Sequence, residues 1–136
     1  MVSHLPFKWS VRIYFEDTDS GGVVYHSNYL KFMERARTEW LRSLHLNQAD
    51  LKKKDKIMFV VANVNIDYKK AARFNDELDI ETSLDKIGAS KVDLTQNIMK
   101  NSELYTSAKV SIACIHSETF KPQRIPKLIK QQMEIL

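Results

Sequence analysis

The sequence predicts an α+β protein in which one long helix packs against a curved antiparallel sheet. Two observations carry this. Between Tyr29 and Leu44 the apolar residues recur at three- and four-residue spacing, the pattern of a helix with one buried face. From Phe59 to His116 four stretches alternate apolar and polar residues, the period-two pattern of strands with one covered face and one wet face. One helix can cover so much sheet only if the sheet curls around it. A chain of 136 residues is the length of one domain, taken here as residues 1–136.

The elements follow in chain order. "KWSVRIYF" reads as a strand, with Trp9, Val11, Ile13 and Phe15 on one face. The turn "DTDSGG" leads into a helix expected from Val23 to about Leu46. Tyr29, Met33, Ala36, Trp40 and Leu44 form its apolar stripe, and Leu30, Phe32 and Leu41 widen it. Lys31, Glu34, Arg35, Arg37, Glu39 and Arg42 mark the opposite, solvated side. "NQADLKKKDK" is expected to be an exposed connection.

Four strands come next. In the first, Val60, Ala62, Val64, Ile66 and Tyr68 share a face. The second places Leu78, Ile80, Thr82 and Leu84 together, and the third Val92, Leu94 and Ile98. The fourth aligns Leu104, Thr106, Ala108, Val110, Ile112 and Cys114. "NDE", "IGAS" and "KNSE" are the turns between them, and the proline-led tail "IPKLIKQQMEIL" suits a short helix. So large a sheet leaves edges to hide, and pairing with a second copy would hide one.

Composition excludes several classes. The chain is 43% hydrophobic and 28% charged, values of an ordinary globular protein, which argues against disorder and fibrous repeats. Its net charge of +4 is spread along the chain, and the run Lys52–Lys54 is cut short by Asp55. A nucleic-acid face would be a denser basic stripe interleaved with aromatics, so no nucleic-acid partner is expected. The one cysteine, Cys114, sits in the apolar stretch "SIACI" and reads as a buried small residue. With no leader-like start and no apolar run of about 18 residues, a cytoplasmic protein without a transmembrane segment is expected.

The chemistry concentrates in "YFEDTDSGGVVYHSNYLKFMERARTEW", where two of only three glycines stand side by side behind two carboxylates. As a calcium loop, Asp17 and Asp19 take positions one and three and Gly22 position six. Asn28 then stands where the bidentate glutamate belongs, and the preceding segment reads as strand, so no metal is expected. As a catalytic loop, the Gly-Gly pair lets a ligand approach the backbone. The helix start then offers unpaired N–H groups to a polarised carbonyl oxygen. Asp19 or Asp17 would stand beside that point to attack the carbonyl or activate water, with Tyr25 and His26 shaping the site. Either aspartate could equally be only a helix cap.

The same segment resembles the signature of hotdog-fold acyl-CoA thioesterases, in particular the YbgC-like branch associated with the Tol–Pal envelope system and related to 4-hydroxybenzoyl-CoA thioesterase. The resemblance rests on the pattern D-x-D-x-x-G-[IV]-V-[YF]-[HY], then N-Y and a helix carrying E-R-A-R, and it extends over nearly the whole chain. It implies a hotdog fold, a central helix wrapped by about five to six antiparallel strands. It implies hydrolysis of an acyl-CoA, or of an acyl-carrier-protein thioester, with no cofactor beyond the coenzyme A of the substrate. Asp19 would be the catalytic carboxylate, acting as nucleophile or general base, and Asp17 would shape the turn. The N–H at His26, with Tyr25 beside it, would polarise the carbonyl, and Gly22 and Val23 would border the substrate. Sites built between subunits of a homodimer or dimer of dimers are implied as well. One departure concerns coenzyme A. Gly88 and Ala89 stand where the 4-hydroxybenzoyl branch has paired phosphate-binding arginines, leaving Lys86, Ser90 and Lys91, or Lys69, Lys70 and Arg73, as the candidates.

Overall fold

A computed structural model describes residues 5–134. Five strands form one antiparallel sheet in the order β1-β3-β4-β5-β2: β1 Phe7–Arg12, β2 Ile57–Tyr68, β3 Glu77–Ile87, β4 Lys91–Lys100 and β5 Glu103–His116. The long helix α1, His26–Ser43, lies against β1 and β3 and is wrapped by the sheet. This is the predicted α+β arrangement, and it is the hotdog arrangement.

The core sits between α1 and the inner face of the sheet. Tyr29, Phe32, Met33, Ala36, Trp40 and Leu41 of the helix meet Leu78, Ile80, Val92, Leu94, Ile98, Ala108 and Val110 of the strands, all essentially without exposed surface. The apolar stripe read from helical spacing is therefore the buried face, with two corrections. Leu30 is 42% exposed and lies off it. Arg37, expected on the wet side, is half-buried and donates to Gln96 Oε1 at 2.9 Å. The Gln96 amide in turn donates to the Met33 carbonyl and the Thr82 hydroxyl, each at 3.0 Å, so a polar network crosses the helix–sheet interface. Burial holds the Arg37 guanidinium below its ordinary pKa.

Other boundaries also differ from the reading of the sequence. β1 ends at Arg12, and Phe15 opens a 3-10 turn, Phe15–Asp17, where it is 74% exposed and stacks on Phe74. Helix α1 starts three residues later than expected, at His26, because Val23 and Val24 are tied into extended bridges with Arg73 and Thr18. The connection after α1 is folded. Asn47 caps the short helix α2, Gln48–Asp50, by accepting from Ala49 N at 2.8 Å, and a π-helical turn over Leu51–Asp55 buries Leu51. The tail forms α3, Lys127–Glu134; its predicted last residues, Ile135 and Leu136, lie outside the described residues.

The strand faces change where a bulge intervenes. In β2 the register slips between Val61 and Asn63, leaving Ala62 without a partner. Before the bulge, Ile57, Phe59 and Val61 lie opposite His116, Cys114 and Ile112. After it, Val64, Ile66 and Tyr68 lie opposite Val110, Ala108 and Thr106. Residues directly opposite share a face, so the inner face of β2 switches from odd to even numbers. The single face drawn through Val60, Ala62, Val64, Ile66 and Tyr68 is thus right only beyond Ala62. A second slip, at Tyr105, turns Leu104 opposite Met99 and away from the inner face on which it was placed.

Candidate active site

The acidic loop is held by its own backbone. The Asp19 N–H donates to the Val23 carbonyl at 2.9 Å, and Asp19 Oδ1 accepts from Gly21 N at 2.8 Å and, more weakly, from Val23 N at 3.4 Å. The carboxylate is thereby aimed while Oδ2 makes no bond to the described residues. Gly22 carries the reversal, with φ at +80°, a conformation that L side chains rarely adopt. An added Cβ on Gly21 would stand 3.2 Å from Asp19 Oδ1, so each glycine has a separate reason for being there.

Asp17 does different work. Its Oδ2 accepts from Tyr14 N at 2.8 Å, closing the 3-10 turn, and its carbonyl accepts from Tyr25 N and from the Asn28 side chain. Asn28, the twelfth position of a calcium loop, is thus a donor inside the helix, and the loop is entered from a strand and a 3-10 turn. Neither suits an EF-hand, which requires a helix before the loop and a carboxylate at that position.

At the helix start, Tyr25 is the N-cap and its side chain accepts no capping bond. Asn28 N donates to the Tyr25 carbonyl and Tyr25 N to that of Asp17, which leaves the N–H groups of His26 and Ser27 without partners among the described residues. Such a terminus carries a partial positive charge and attracts a developing oxyanion.

A cavity of about 350 Å³ brings these parts together. Asp19, Val23, Tyr25 and His26 line it together with Tyr29, Tyr68, Lys69 and Lys70. Tyr29 is buried, and its hydroxyl accepts from Ala72 N at 3.0 Å. The Ala72 carbonyl accepts from Val24 N, so this phenol pins the loop behind Asp19. Burial raises the pKa of Tyr29 and of Tyr68 above the ordinary phenol value. Lys70 pairs with Glu103, and Lys69 with Asp67 at 3.1 Å.

Of the residues proposed from sequence, Asp19, Val23, Tyr25 and His26 share this cavity, as do Lys69 and Lys70 of the second set of coenzyme A phosphate candidates. Gly22 sets the turn beneath it. Lys86, Ser90 and Lys91 belong to the β3–β4 turn region and do not line it. Ala89 of that turn instead borders a second cavity, with Arg124, Lys127 and Lys130 of the tail. Tyr29 and Tyr68 were read as apolar stripe and strand face, and their place in the site was missed. A tyrosine in each of two elements gives no local signal that the two will meet.

Comparison with known proteins places this arrangement. Residues 13–133 match the model of the thioesterase-like superfamily. The chain belongs to that superfamily. Among its relatives, this thioesterase-like chain is 42% identical to a Haemophilus influenzae protein named acyl-CoA thioesterase YbgC, the match covering 91% of each chain. It is 40% identical to the Escherichia coli acyl-CoA thioester hydrolase YbgC, over 90% of this chain and 92% of that one. A crystal structure of a probable thioesterase from Bartonella henselae superposes with a TM-score of 0.85 at 35% identity, covering 89% of this chain and 99% of its own.

Proposed function

We propose that this protein is an acyl-CoA thioesterase, hydrolysing a thioester to a carboxylic acid and free coenzyme A. The observation that carries the reading is that Asp19 shares one cavity with the uncapped start of α1. In the reaction, the thioester oxygen takes the N–H of His26, and the helix terminus stabilises the negative charge that grows on it. The Asp19 carboxylate either attacks the carbonyl carbon, forming an anhydride that water then opens, or removes a proton from the attacking water. The thiolate leaves and is protonated. Helix and carboxylate together supply an electrophile and a base, so the residues suffice without a metal.

The finer features of the reading are these. The protein acts in the cytoplasm as a homodimer or dimer of dimers and serves the Tol–Pal envelope system. Its thioester is carried by coenzyme A or by an acyl-carrier protein. Lys86, Ser90 and Lys91, or Lys69, Lys70 and Arg73, take the phosphates of coenzyme A. The names of the YbgC relatives support the acyl-CoA part of this reading.

The test is thiol release from short, long and aromatic acyl-CoAs by the protein and by Asp19→Asn. Asparagine keeps the Oδ1 acceptor that Gly21 uses, so the loop holds its shape while the charge is lost. Turnover is expected to drop by about a hundredfold or more. Thioesters left intact by the unsubstituted protein, or cleaved equally by both, would sink the mechanism in favour of a non-catalytic acyl-CoA-binding role.

A further inference from the structure

We propose that Tyr68 is a positioning residue for this hydrolysis, holding the first turn of α1 where its N–H groups meet the thioester oxygen. The inference rests on the thioesterase reading and adds to it a residue on a different element from the acidic loop. Three features support it. The Tyr68 ring stacks on the His26 imidazole, with centroids 4.3 Å apart and planes 18° from parallel. Its hydroxyl donates to the His26 carbonyl at 3.4 Å, a long bond to the same residue whose N–H faces the substrate. The Tyr29 ring, one helical turn further on, lies 5.4 Å from Tyr68 and completes an aromatic wall behind the helix start.

The need for such a support follows from the sequence of α1. Helix starts fray unless a cap holds them, and here the N-cap is a tyrosine with no capping bond. His26 is itself exposed. Among the described residues, Tyr68 is the aromatic partner that orders its side chain. Leaving the N–H groups uncapped keeps them free for substrate, and a brace from the neighbouring strand restores the order that a cap would have given. The brace exists because of the β2 bulge. Skipping Ala62 puts Tyr68 opposite buried Thr106 on the inner face, and an unbroken register would turn the ring away.

Tyr68→Val and Tyr68→Thr remove the ring with residues that suit a strand, so the readout does not depend on the folding of one variant. Tyr68→Phe keeps the stack and deletes the hydroxyl. A donor displaced by about 1 Å can cost on the order of a hundredfold, so a helix start that is misplaced part of the time should cost about tenfold. The expected result is a fall of about tenfold in kcat and kcat/KM for Val and Thr, with KM within about twofold, and near-normal turnover for Phe. In proton NMR, the ring-current shift of the His26 imidazole should vanish in Val and Thr and persist in Phe. A rise in KM with kcat unchanged would make Tyr68 a mere wall of the cavity and overturn the proposal, as would unaltered kinetics or an unaltered imidazole shift. If the unsubstituted protein cleaves no thioester, the thioesterase reading falls and takes this inference with it. If it cleaves and the Val and Thr variants match it, only the inference falls.

Discussion

Gly21 and Gly22 are adjacent and chemically identical, yet their replacement by alanine should have opposite signatures. At Gly22 no atom lies within 4 Å of an added Cβ, and the difficulty is φ at +80°. Gly22→Ala is expected to lose about 1–2 kcal/mol of stability to backbone strain, read as a lower denaturation midpoint. At Gly21 the Cβ would press on Asp19 Oδ1, whose carboxylate must shift. Gly21→Ala should therefore lower kcat at nearly unchanged stability, and a variant with full activity and a lowered midpoint would contradict this assignment. Asp76 is a second residue whose importance appears only in three dimensions. Its side chain accepts from Arg73 N at 2.9 Å and pairs with Lys100 at 3.0 Å, while its carbonyl accepts from Ile13 N. It ties the end of β1 to the loop that carries Ala72 and Arg73, which in turn hold Val24 and Val23. Burial pushes the Asp76 pKa up, but the Arg73 N–H and the Lys100 ammonium outweigh it and leave the carboxyl below 3.8. A depressed folded pKa stabilises the fold above the unfolded value, and that contribution is lost as pH falls through the folded one. Asp76→Asn should thus cost about 1 kcal/mol at neutral pH, and chemical denaturation of the pair should show the gap closing only below about pH 4.

The element that most needs its irregularity is β2. Ala62 is one residue too many for an unbroken ladder, and the bulge absorbs it. Were Ala62 paired, Val64, Ile66 and Tyr68 would turn outward, and Asn63, Asn65 and Asp67 would turn toward the core side. Deleting Ala62 makes Val61 and Asn63 neighbours with their present partners Ile112 and Ser111, so Tyr68 should stay opposite Thr106 and thiol release should be retained. A deletion variant that folds but no longer releases thiol would show that the bulge itself, and not only the face it gives Tyr68, shapes the site. Helix α1 shows the converse economy. Its amphipathic pattern was legible because six of its residues are buried along one stripe. Its first residue was not, because Val23 and Val24 satisfy helical spacing as well as they satisfy the two bridges that claim them. Propensity cannot choose between those outcomes, and the partners Arg73 and Thr18 decide it.

For the whole molecule the outstanding feature is the free edge of the sheet at β2. Val61 is 48% and Val64 37% exposed on this edge strand, next to the strand end that carries Tyr68 into the active-site cavity. Exposed apolar edge strands invite pairing with another chain. Light scattering is expected to give a mass of two or four chains of 15.9 kDa. A charge at the centre of that edge, Val64→Lys, should shift the mass toward one chain and lower thiol release with it. Full activity in a dissociated variant would show that one chain completes the site.

The sequence by itself determined the α+β architecture, the buried stripe of α1, most of the strand faces and the carboxylate–glycine loop at the helix start. These follow from periodicities and turn chemistry that act between residues close in the chain, and such interactions are the same wherever the segment lies. The tertiary structure alone decided that β2 and β5 slip in register, that Tyr68 and Tyr29 stand behind the helix start, and that Asp76 and Arg37 carry long-range polar contacts. Each of those depends on which residues a strand or loop meets across the fold, often more than forty positions away, as for Tyr68 and His26. No local pattern encodes a partner at that distance, because it is fixed only when the sheet has closed around the helix.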